Sequence, residues 1–176
     1  MRILVGHASW QGSTAGIARR VAAVLERAGA TVEVVPVGEV GDVAGYDAVV
    51  LGSAVHNQSW MPEAVDFVHR HSRVLSERPV WLFSVGMSDG LPRPLRRMAR
   101  TAQDRRIAVA LREDVQPRGH RVFSGVCRPE QLPRGVGVAF RVFGGHFGDY
   151  RDWSAIEAWA RQIAQELDAQ PVADGM

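Results

Sequence analysis

Residues 2–28 constrain what this chain can fold into more than any other stretch. The apolar run RILVG (2–6) shows no alternation, the pattern of a strand covered on both faces. A loop crowded with Gly, Ser and Thr, GHASWQGST (6–14), follows at once. Ile17, Val21, Val24, Leu25 and Ala28 then recur at helical spacing, with Arg19, Arg20, Glu26 and Arg27 mostly between them, and Gly29 stands where a helix ends. A buried strand that runs straight into a helix returns to its sheet by a right-handed crossover. Repeated, that unit builds a parallel sheet with helices on both faces.

The rest of the chain repeats the unit. TVEVVPV (31–37), YDAVVLGSAV (46–55), RPVWLFSVG (78–86) and HRVFSGV (120–126) read as further strands. MPEAVDFVHRHSRVL (61–75) opens with Pro62 at a first-turn position and carries Val65, Phe67, Val68 and Leu75, so it reads as a helix. Segment 92–114 reads as an interrupted helix. DWSAIEAWARQIAQEL (152–167) is a closing helix with Trp153, Ile156, Trp159, Ile163 and Leu167 on one face. The expected fold is a doubly wound α/β domain with a five-stranded parallel sheet, a single domain over residues 1–170 followed by a frayed tail at 171–176.

Composition narrows the function classes. The 176 residues, 46% hydrophobic and 23% charged, suit one core and leave a second domain without material. A lone cysteine, Cys127, excludes an internal disulfide and any multi-cysteine metal or cluster site, and fits a reducing, cytoplasmic compartment. It is expected to be a buried small hydrophobe. No run approaches the roughly 18 apolar residues of a membrane span. All 21 basic residues are arginine, and nine of them fall between Arg93 and Arg121 against only Asp104, Glu113 and Asp114. That segment carries +6 while the whole chain carries +2, so the charge is polarised.

In a sheet of this kind ligands sit beyond the carboxyl ends of the strands. Loops 7–13, 53–61 and 84–91 reach that edge. In the first, Ser9, Gln11, Ser13 and Thr14 offer hydroxyl and amide donors, Gly12 permits a turn close to a ligand, and the helix behind it presents free N–H groups and a partial positive charge. This is a phosphate cradle without a cationic side chain. It lacks GxxxxGK[ST], which disfavours a nucleoside triphosphate with magnesium, and it lacks GxGxxG, which disfavours a dinucleotide. GVGVAF (135–140) follows no strand and carries no such signal.

The motif S-x-Q-G-S-T at 9–14 resembles the FMN-phosphate loop of the flavodoxin superfamily. VVLGSAVHNQSWMPEAVDFVHRH (49–71) and GDYRDWSAIEAWARQIA (148–164) resemble, within that superfamily, the group containing menaquinone-dependent protoporphyrinogen oxidases. The resemblance implies strand order 2-1-3-4-5, FMN at the strand ends and redox chemistry. It places Ser9, Trp10, Gln11, Gly12, Ser13 and Thr14 around the phosphate. Ser53, Ala54, Val55, His56, Asn57 and Trp60 would run beside the isoalloxazine, and Ser84, Val85, Gly86, Met87 and Gly90 would form a third wall. Two departures from electron-carrier flavodoxins stand out: SVGMSDG (84–90) contains no aromatic to cover the flavin, and the sequence pI is near 9.3 where carriers are usually acidic.

Other residues read more plainly. His7 and His56 lie on the ligand edge as hydrogen-bonding fillers, Trp81, Trp153 and Trp159 have core spacing, and His69, His71, His120 and His146 have no metal-ligand spacing, so no metal is expected. Arg93, Arg96, Arg97 and Arg100 share one side of a helix, a surface for porphyrin propionates, anionic lipid headgroups or an acidic protein. With no aromatics interleaved among the arginines, nucleic acid is not an expected partner. No residue stands out as a general base. The resulting expectation is an FMN-dependent oxidoreductase resembling quinone-dependent protoporphyrinogen oxidase. It would exchange electrons with a small molecule or protein, with a quinone and the inner membrane surface as candidate contacts, and pairing with a second copy left open. The alternatives are a single-domain electron carrier, or a domain that has lost FMN and acts in binding or regulation.

Overall fold

The computed structural model of the protein describes residues 1–56, 59–86, 115–128 and 146–169. The expected helix at 92–114, the tail at 171–176, Asn57, Met87, Gly90, Arg93, Arg96, Arg97 and Arg100 lie outside the described residues. Five strands, β1 (Arg2–Ala8), β2 (Thr31–Pro36), β3 (Ala48–His56), β5 (Val80–Gly86) and β6 (Gly119–Ser124), form a parallel sheet in the order β2-β1-β3-β5-β6. With the two-residue β4 (Ser59–Trp60) set aside, this is the order 2-1-3-4-5. Every residue of β5, and nearly every residue of β1, is buried, as the unalternating apolar runs require of central strands. Edge strand β2 alternates instead.

Helices cover both faces. On one, α1 (Ser13–Arg27) and α3 (Trp153–Asp168) bury Ile17, Val21, Leu25, Ile156, Trp159 and Ile163 against Ile3, Val5, Val50, Trp81 and Phe83. On the other, α2 (Pro62–Ser76) and a 3-10 turn at Val37–Glu39 cover Leu4, Val49, Leu51 and Leu82 with Phe67, Val68, Leu75 and Val37. Each strand serves both layers because its side chains point to opposite faces in turn. The helix ends match their residues: Gly29, at φ 94°, closes α1 with Ala30 N–H donating to the Leu25 carbonyl and its own N–H to that of Glu26, a Schellman turn. Pro62 starts α2, and Asp152 caps α3 by accepting from Ala155 N–H at 3.0 Å.

The tryptophans expected in the core divide. Trp81 and Trp159 are buried, the first donating to Glu166 and the second edge-on to Phe83 and Phe123. Trp153 is only half-buried, with the Arg20 and Arg151 guanidiniums over its ring.

Two expected elements change at the ligand edge. The third strand does not end in an open loop: it continues to His56 and turns back, so that Val55 pairs with Trp60 and His56 with Ser59 in an antiparallel ribbon. The fifth strand does not run to Val126. It stops at Ser124, Gly125 N–H donates to the Gly86 carbonyl at 2.8 Å, and β7 (Val126–Cys127) leaves to pair with β8 (Gly148–Asp149). Gly125 allows the crossing because a Cβ there would lie 3.0 Å from Val85 Cγ1 and 3.3 Å from Ser13 Cβ.

Candidate functional site

A cleft of about 120 Å³ lies at the ends of β1, β3, β5 and β6. Ser9, Trp10 and Gln11 of the first loop and Ser13 and Thr14 of α1 form its floor. Ala54, Val55 and His56 of β3 form one wall, Val85 and Gly86 of β5 another, and Gly125 and Val126 close the side. Every one of these positions except Gly125 and Val126 is legible as a ligand position from the sequence. Those two escape because a small residue at the end of the last strand carries no motif of its own.

The floor is built to hold an anion. Gly12 caps α1 at φ 86°, a left-handed conformation that other residues adopt at a cost, and a Cβ there would meet nothing, so its role is the turn and not the space. Ser9 Oγ accepts from Gly12 N–H at 3.0 Å and tightens that turn. No side chain caps α1, in contrast to α3, so the positive end of α1 faces the cleft. Ser13 Oγ accepts from Val126 N–H at 3.2 Å, which leaves its own proton to donate. Thr14 is 1% exposed, and its Oγ1 has no hydrogen-bond partner among the described residues. A buried hydroxyl left unpaired costs about 1–3 kcal/mol, so this position is made for an acceptor. No charged side chain lines the cleft among the described residues. Recognition of an anion here rests on N–H and O–H groups.

At the mouth, Trp10 stacks on His56, with ring centroids 5.4 Å apart and planes inclined by 15°. Trp10 is 63% exposed, against the usual burial of its ring. His7, also at the ligand edge, does not line the cleft. It is buried with Nδ1 unpartnered among the described residues, and burial, reinforced by Arg19 and opposed by Glu39, lowers its pKa and keeps the ring neutral.

Four expected contacts lie off the cleft wall. Gly12 shapes the floor from behind. Ser53 and Ser84 are wholly buried, the former accepting from Met61 N–H at 3.0 Å and the latter from Trp60 Nε1–H at 2.7 Å. Trp60 does not border the cleft: it is 4% exposed and belongs with Ala64 and Phe67 to the core on the α2 face, its indole N–H bonded to Ser84. Cys127 is buried, and burial pushes its thiol pKa up. The described residues contain no group of His, Cys, Asp or Glu that could hold a metal ion, and no helix among them is long and apolar enough to cross a membrane.

Residues 4–135 match the model of the flavodoxin domain family, three quarters of the chain. The chain belongs to that family. Solved structures share the fold: a flavodoxin from the domain Archaea superposes with TM-score 0.62 at 13% identity over 96% of this chain and 99% of its own. One from Streptococcus pneumonia gives TM-score 0.57 at 17% identity over 96% and 99%. A rubredoxin oxygen:oxidoreductase from Desulfovibrio gigas gives TM-score 0.55 at 15% identity over 96% of this chain and 36% of that one. No curated protein matches the sequence. Membership implies a flavin, FMN, as cofactor, and the Thr14 hydroxyl at the uncapped end of α1 fits its phosphate.

Proposed function

We propose that this protein binds FMN in the cleft and carries electrons. The observation that carries the reading is the buried Thr14 Oγ1, without a partner among the described residues, at the open end of α1, under a cleft at the strand ends. The α1 amides with Ser9, Gln11, Ser13 and Thr14 would hold the phosphate. Ala54, Val55, Val85 and Gly86 would present an apolar surface to the ring and keep water from one side of it. When bound, FMN supplies reversible electron transfer, and the protein contributes position, dryness and local dipoles. No proton-transferring residue is required of the chain. The structures it resembles include flavodoxins and an oxidoreductase with a flavodoxin-like part, which supports carriage by a domain of this shape. Denaturing the purified protein and identifying the released cofactor tests the reading: FMN is expected, whereas FAD, a nicotinamide dinucleotide or no cofactor refutes it.

A second reading is favoured by one observation, the +6 charge of residues 93–121. An arginine-rich segment suits an anionic substrate such as a porphyrinogen, with a quinone as acceptor at an anionic membrane surface. Arg93, Arg96 and Arg97 changed together to Gln would then raise the KM for the porphyrinogen and flatten its salt dependence, with the flavin spectrum unchanged. Absence of any porphyrinogen turnover by the wild type rejects this reading and leaves the carrier.

A further inference from the structure

Two serines share a register position on neighbouring strands: Ser53 of β3 pairs with Ser84 of β5. Both are wholly buried on the α2 face, and both hold the returning arm of the β3–β4 ribbon, Ser53 through Met61 N–H and Ser84 through the Trp60 indole. Ser84 Oγ also lies 2.9 Å from His120 Nε2, and half-buried His120 sits on β6 opposite Leu82.

Proton bookkeeping gives this cluster a direction. An indole N–H only donates, so Ser84 Oγ accepts from Trp60. The oxygen has room for a second acceptor bond, but then its own buried proton would be unpaired, and the acceptor within reach of that proton among the described residues is His120 Nε2. With that proton given to His120, Nε2 must be bare and the ring proton must sit on Nδ1. The chain therefore runs Trp60 to Ser84 to His120 across three elements that are far apart in sequence.

Its first two members adjoin opposite walls of the cleft. Trp60 pairs with Val55, a wall residue, and Ser84 immediately precedes Val85 and Gly86 of the opposite wall. We propose that Trp60, Ser84 and His120 form a directed hydrogen-bond chain that fixes the β3–β4 ribbon against β5, making Trp60 a positioning residue for whatever ring occupies the cleft. Trp60 acts from beneath, through the placement of Val55 and His56. The effect on flavin binding rests on the FMN reading above. The direction of the chain does not.

The test uses the intact protein with and without FMN. Nitrogen-15 NMR of the His120 ring in the apoprotein should show a protonated Nδ1 and a bare Nε2. In Trp60→Phe, which keeps an aromatic side chain in the core but has no N–H, and in Ser84→Ala, the ring should relax toward a tautomer mixture. Loss of one buried neutral hydrogen bond, fully transmitted, should weaken FMN about fivefold, mostly through a faster off-rate. A merely structural role would lower the melting temperature of Trp60→Phe without moving the His120 signals or the FMN dissociation constant measured well below melting, and that result overturns the proposal. A protonated Nε2 in the wild type overturns it too. Failure of the wild type to bind FMN, with the His120 signature as expected, refutes the flavin reading while the chain stands.

Discussion

Replacing Thr14 by valine should change stability and affinity in opposite directions. The substitution keeps the β-branch and the volume and exchanges the hydroxyl for a methyl. In the free protein Oγ1 is buried without a partner among the described residues, so its removal relieves part of a desolvation cost of about 1–3 kcal/mol. For a domain of this size each kcal/mol raises the melting temperature by about 2–4 °C, so the apoprotein should melt higher. A hydrogen bond from this hydroxyl to a charged phosphate contributes about 1.5–3 kcal/mol. At about 1.4 kcal/mol per decade, its loss weakens FMN by roughly 10- to 150-fold. Titration of the apoprotein with FMN, followed by loss of flavin fluorescence, gives the affinity, and thermal melts with and without FMN give the stability. The stabilisation conferred by saturating FMN should shrink as the dissociation constant rises. A variant that melts lower than wild type and binds FMN within twofold of it would show that the hydroxyl has a structural partner and that the phosphate lies elsewhere.

Three further outcomes follow from the same geometry. Gly125→Ala would put a Cβ 3.0 Å from Val85 and 3.3 Å from Ser13, both cleft residues. Overpacking of about 1–3 kcal/mol should lower the melting temperature, and the displaced wall should weaken FMN in equilibrium titration. Trp159→Ala removes an indole packed on Phe83 and Phe123, away from the cleft, and should cost about 3–5 kcal/mol in urea denaturation, with FMN affinity of the folded protein unchanged. His7 titrates below its ordinary value because it is buried, so as pH falls below about 6.5 the unfolded chain takes up the proton first and stability falls until the folded-state pKa is passed. His7→Phe should remove that part of the acid loss, measured as a shallower fall of the denaturation midpoint between pH 7 and pH 5. An unchanged slope would show that His7 is solvated.

Much of the site lies in short-range order, and there the sequence is enough. Ser9 to Thr14 stand between a buried strand and a helix, and in a parallel sheet that junction always faces the ligand edge, so the cradle is readable without knowing its neighbours. The same holds for Ala54, Val55, Val85 and Gly86, each at the end of an unalternating apolar run. The two-sided core follows from the repeated strand–helix unit, since a half-buried face must be covered and crossovers have one hand, whereas the strand order came only with the resemblance to flavodoxins.

What lies beyond this reach depends on contacts between distant residues. That Trp60 goes under the sheet is decided by Ser84, 24 positions away, whose hydroxyl satisfies an indole that could not otherwise be buried. Nothing in residues 53–61 distinguishes that outcome from an indole in an open loop. Gly125 ends the last strand because the Gly86 carbonyl and the Ser13 hydroxyl receive the backbone there, and neither partner is near it in the chain. The unpaired state of Thr14 Oγ1 is likewise a tertiary fact. The sequence by itself determined that a hydroxyl stands at the start of α1, because helix position is a matter of local period. Only the tertiary fold decided that the hydroxyl is shut away from water with no partner among the described residues, and burial is what turns a polar side chain into a binding site.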